Sequence, residues 1–71
     1  MTVYVLIRED QNDYGYVDTS IAAVFDSQRR AKKAERDARQ NARQQGLRVE
    51  DDESPDGTWQ VSWSIEKHVI N

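Results

Sequence analysis

From Trp59 onward the chain alternates. Trp59, Val61, Trp63 and Ile65 are apolar, and Gln60, Ser62, Ser64 and Glu66 stand between them. A period of two puts the apolar set on one face of a β-strand. Val69 and Ile70 either extend that strand or pack as a tail. Two earlier runs, Val3-Tyr4-Val5-Leu6-Ile7 and Ile21-Ala22-Ala23-Val24-Phe25, are apolar without alternating. Their β-branched and aromatic content suits strands, the second beginning near Tyr16. The polar stretch from Arg8 to Gly15 holds Asp10, Asn12, Asp13 and Gly15. It predicts a hairpin loop short enough to pair the two strands antiparallel.

From Gln28 to Gln45 the pattern changes. There is no Gly, no Pro and no β-branched residue, and Ala, Arg, Lys, Gln and Glu dominate. These are strong helix formers. Asp26 and Ser27 are suited to cap the first turn, and Gly46 suits the left-handed residue that ends a helix, with Leu47 folding back. At 100° per residue Ala31, Ala34, Ala38 and Ala42 form one narrow stripe. Alanine allows close approach to a sheet, so the bulk beneath is expected from Trp59 and Trp63. Leu47-Arg48-Val49 reads as a short strand, and Asp51 to Gly57 as an acidic turn containing Pro55 and Asp56-Gly57. The expected fold is a single α+β domain over residues 1–71. An antiparallel sheet of three to four strands carries one long helix on one face, in the order β-β-α-β-β.

One helix covers one side of a sheet. The strand pattern therefore predicts a second face on which Tyr4, Leu6, Ala22 and Val24 stay partly exposed. Apolar patches of this kind mark interfaces, so a homodimer or a partner is expected there. The competing reading is that the Val69-Ile70 tail or the long loop folds over them.

Length and composition sharpen this. At 71 residues with no cysteine and one histidine, His68, disulfides and thiolate metal sites are excluded and a histidine zinc site nearly so. Oligomerisation remains as a source of extra stability. The opening apolar run is far too short to span a membrane. It lacks the preceding basic region and cleavage site of a signal peptide. A cytoplasmic protein without membrane contact is expected.

The net charge of −3 conceals a division. Residues 1–28 carry −4, residues 29–48 carry +6 and residues 49–71 carry −5. Within the middle segment Arg29, Lys32, Lys33, Arg36, Arg39 and Arg43 fall within about a third of the helix circumference, away from the alanines. A solvated face that keeps the chain soluble explains such a stripe. A contact surface for phosphates or for an acidic protein patch explains it equally. The acidic balance, and the lack of aromatic residues among the helix cations, disfavour nucleic acid. The acidic residues Asp51, Asp52 and Glu53 are a second candidate contact, suited to a basic groove on a partner.

Nothing points to catalysis. His68 has no companion base, Ser20, Ser62 and Ser64 lack an activating context, and Gly15, Gly46 and Gly57 are too dispersed to cradle phosphate. The Asp51–Asp56 cluster lacks calcium-loop spacing. Tyr14 and Tyr16 flank Gly15 as packing residues or binding aromatics. No cofactor or metal is expected, and the chain is not read as an enzyme.

The opening Val3-Tyr4-Val5-Leu6, the Ala23-Val24-Phe25-Asp26-Ser27 junction leading to Ala31 and Ala34, and the closing Trp63-Ser64-Ile65-Glu66 resemble a loose group of small uncharacterised phage and bacterial proteins. Ala23 stands where that group has glycine, and residues 47–57 look like an elaboration. The group carries no assigned activity. The resemblance implies a phage-type accessory protein that binds a host protein or protein complex, as an anti-CRISPR-like inhibitor of a bacterial defence complex. The alternative is a dimeric nucleic-acid-binding regulator that uses the basic helix face.

Overall fold

The computed structural model describes residues 1–50 and 59–71. Strand β1 runs Thr2–Gln11, β2 Val17–Phe25, helix α1 Gln28–Gln44 and β3 Val61–Val69. The sheet is antiparallel with order β2-β1-β3, so β1 is the central strand. The helix packs on one face of it. This is the α+β architecture expected, with three strands. The segment 47–49 does not form a full strand: Val49 makes a single parallel bridge to Val61.

β1 is twice as long as its apolar run implies. Arg8, Glu9, Asp10 and Gln11 continue the ladder to Val17 on one side, and Arg8 to Asp10 reach Val61 on the other. The true hairpin turn is confined to 12–16. Asn12 sets it: its Oδ1 accepts from the N–H of Tyr14 at 2.9 Å and of Tyr16 at 3.0 Å. Its carbonyl accepts from Gly15 N–H at 3.0 Å. Gly15 has φ +84°, a conformation glycine adopts without strain. At the other end of the sheet, the last two residues before Asn71 extend β3 rather than folding over the sheet. Val69 pairs with Thr2, and Ile70 N–H donates to the Met1 carbonyl at 2.7 Å.

Ser27 caps the start of α1 through its backbone. The Ala31 N–H bonds its carbonyl at 3.1 Å, and the hydroxyl makes no capping bond. Asp26 instead pairs with Arg30 at 3.6 Å. The C-terminus ends as expected. Gly46 has φ +82° and its N–H donates to the Arg43 carbonyl, while Leu47 N–H donates to the Ala42 carbonyl, each at 3.0 Å. This is the Schellman arrangement, which satisfies carbonyls the helix would otherwise leave open.

The core lies between α1 and the sheet. Leu6, Ala42, Val49, Val61 and Trp63 are buried there, with Phe25, Ala34, Ala38, Leu47 and Ile65 packed around them. Ala31 is fully buried. The alanine stripe thus does face the sheet, and Trp63 supplies bulk beneath it. Trp59 does not: it is half-buried and precedes the strand, beside Gln11, Asn12 and Arg48. Val61 takes the buried place next to Trp63. Arg8, opposite Trp63 on β1, holds its guanidinium 5.5 Å from the indole ring centroid and hydrogen-bonds Asp10 at 3.0–3.1 Å.

Candidate functional site

Face assignment decides which residues can meet a partner. Cross-strand partners share a face, so Leu6, opposite Ala23 and Ile65, points toward α1. It is buried, 3% exposed. Tyr4, two residues earlier, shares that side and is half-buried. Neither belongs to the open face on which both were expected. Ala22 is exposed but has no partner on β1, because the register shifts between Leu6/Ala23 and Ile7/Ile21. This one-residue bulge breaks the period of two in β2. Ile21 and Val24, an odd number of residues apart, consequently point the same way. Of the four residues expected on the open face, the register places Val24 there and Tyr4 and Leu6 on the other side, and Val24 has Val3, Val5, Ile7 and Ile21 as companions.

The helix cations stand away from the buried alanines, and one edge of their stripe borders the sheet. Lys32, Arg36, Arg39 and Arg43, with Gln28 and Glu35, form one wall of a groove of about 600 Å³ whose floor is Tyr4, Ile65 and Lys67. Arg29 and Lys33 continue the same basic flank outward with Lys32 and Arg36. The whole predicted stripe is therefore contiguous, and Lys67 from β3 adds a cation that the helix pattern did not include.

These cations are not equivalent. Arg39 is tied into the fold: one terminal nitrogen lies 2.9 Å from Glu35 and donates to the Trp63 carbonyl at 3.2 Å. Its Nε is shielded from solvent and has no hydrogen-bond partner among the described residues. It joins helix to strand, because Trp63 turns its carbonyl away from β1. The paired Gln11 N–H and Gln60 carbonyl, and the exchange between Met1 and Ile70, show that the even-numbered residues of β3 bond β1. The odd-numbered ones, from Val61 to Val69, face outward. Val61 is met there by Arg48 and Glu50, and Trp63 by Arg39. Lys32, Arg36 and Lys67 are exposed, and none forms an ion pair among the described residues.

The floor differs in kind from the wall. Tyr4 and Ile65 present half-buried apolar surface below the cations. An aromatic residue is thus brought beside the basic flank by β1, although none is interleaved with the helix cations in the chain. The acidic candidates Asp51, Asp52 and Glu53 lie outside the described residues. No helix among the described residues is long and apolar enough to cross a membrane. Comparison with protein families, curated proteins and solved structures finds no match.

Proposed function

We propose that the chain is a small binding module that takes an acidic, partly apolar segment of a partner protein into the groove between α1 and β3. The observation that carries this is the combination in one groove of the cations Lys32, Arg36, Arg39, Arg43 and Lys67 with the apolar floor of Tyr4 and Ile65. A purely solvated face has no need of such a floor, and phosphate alone makes no use of it. Carboxylates of the partner meet the helix wall, its apolar side chains meet Tyr4 and Ile65, and the basic field speeds encounter. The resemblance to small phage proteins supports the finer part of the proposal, an accessory protein that inhibits a host defence complex through this contact.

Tyr4 favours a second reading. An aromatic side chain beside cations is what a single-stranded nucleic acid uses for stacking, so the dimeric regulator keeps one specific support.

Fluorescence anisotropy separates the two. A labelled peptide alternating glutamate with valine and a labelled single-stranded oligonucleotide are titrated with the wild type and with a Lys32→Glu, Arg36→Glu double variant. Both side chains are exposed, so the variant folds. The proposal expects the peptide to bind more tightly than the oligonucleotide and to lose about tenfold or more in affinity in the variant, at least 1.4 kcal/mol. Tighter oligonucleotide binding that Tyr4→Ala abolishes would establish the second reading. Equal affinity of wild type and variant for both probes would overturn both.

A further inference from the structure

The sheet face turned away from α1 carries its own pattern. Val5 stands between Val24 and Glu66, Ile7 between Ile21 and Ser64, and Val3 beside His68. The β1 and β2 rows are therefore aliphatic over this stretch, and the β3 row is Ser62, Ser64, Glu66 and His68. Ile21 is 69% exposed and Val24 57%. Toward the hairpin the face turns polar at Glu9, opposite Thr19 and Ser62. The patch is apolar at its centre and polar on two sides, the anatomy of an interface and not of scattered surface residues.

We infer that this face joins two copies of the chain, sheet against sheet. The polarity gradient across the strands narrows the geometry. A twofold axis lying between the sheets and running across the strands stacks β1 and β2 of one copy on β1 and β2 of the other. Both β3 rows then lie at the wet rim, where the Glu66–His68 pair, 3.1 Å apart, keeps its solvent. An axis along the strands beneath β1 would set the aliphatic β2 row against the charged β3 row, whereas one between β1 and β2 would also leave both β3 rows in solvent. The gradient excludes only the first of these, so either remaining axis joins the β1 and β2 rows of the two copies.

The size suits a second copy. Three strands about 4.8 Å apart and about nine residues long at about 3.3 Å each give a flat face of roughly 400 Å². Counted over the whole face with its polar rim, at most about 600 Å² of accessible surface is covered per copy, or about 1,200 Å² in all, the lower end of a stable interface. The need is also evident. Among the described residues, the buried hydrophobics are Leu6, Ala31, Ala42, Val49, Val61 and Trp63, two of them alanines, a thin core for a chain of this length. Stacked sheets pack about 10 Å apart, which adds a second apolar layer. The helices and their basic grooves lie on the outer sides and stay open. Dimerisation is thus independent of what the groove binds.

Sedimentation velocity over a wide concentration range tests this. The wild type is expected to move from the 8.3 kDa monomer to twice that mass as concentration rises. Ile21→Lys and Val24→Lys, both at exposed positions, are expected to remain monomeric with unchanged circular dichroism. The Lys32→Glu, Arg36→Glu variant is expected to dimerise like the wild type, so failure of the groove reading leaves this result intact. A wild type that stays monomeric throughout, or a dimer that both lysine variants preserve, would overturn the inference.

Discussion

Replacing Leu6 with alanine asks whether β1 presents that residue to the helix. Leu6 is 3% exposed and shares a core with Ala42, Val61 and Trp63. None of its neighbours can move far to fill a void, because Ala42 is fixed on the helix by the bonds that close its C-terminus and Trp63 is braced by Arg8 and Arg39. Deleting a buried leucine side chain costs about 3 kcal/mol, part lost transfer energy and part residual cavity. A 71-residue domain holds only about 4–10 kcal/mol in total, so the change removes a third or more of its stability. The corresponding fall in Tm is about 12–24 °C. Val24→Ala is the matched control. Its side chain is largely exposed on the other face, and at concentrations where the dimer is dissociated it should change stability by about 0.5 kcal/mol or less. Urea unfolding followed by tryptophan fluorescence reads both, with an unchanged m-value as the check on two-state behaviour. If Leu6→Ala cost no more than Val24→Ala, the register and the face assignment built on it would be refuted.

Two further stability changes follow from local geometry. Gly46→Ala should cost about 1–2 kcal/mol, because φ is +82° and no atom lies within 4 Å of the added methyl. The cost is therefore conformational, and a thermal melt that showed no loss would contradict the Schellman ending. Arg39→Met should cost about 1 kcal/mol by removing the bonds to Trp63 and Glu35. Its hydrogen-exchange signature should be faster exchange in the last turns of α1, and a variant as stable as the wild type would show that Arg39 does not join helix to strand.

The helix was legible in the chain because several signals agreed. An unbroken run of helix formers, a four-alanine stripe and Gly46 followed by Leu47 all marked the same segment. The β1 face was not legible, because Val3 to Ile7 is apolar at every position and a period of two has nothing to distinguish. Arg8 carried the only clue. It shares parity with Tyr4 and Leu6 and its guanidinium lies over Trp63, but a charged residue next to acidic ones reads as the start of a loop. The polar half of β1 is hidden in the sequence for the same reason. In β2 the bulge at Ala22 defeats any parity argument, since it turns Ile21 and Val24 to one side. The alternation that begins at Trp59 marks β3 but starts two residues ahead of it, before Gln60 closes the end of the ladder. The basic stripe was legible as a helix face. The groove was not, since Tyr4, Ile65 and Lys67 reach it from strands distant in sequence.

The most direct test of the central claim, that this groove is where a partner binds, is an amide chemical-shift map. The 15N-labelled protein is titrated with the alternating glutamate–valine peptide. The account predicts saturable shifts at Tyr4, Ile65, Lys67 and the Lys32–Arg43 turns of α1, with the open-face residues Val5, Ile21 and Val24 undisturbed. Shifts confined to the hairpin turn or the open sheet face, or none at saturating peptide, would contradict it.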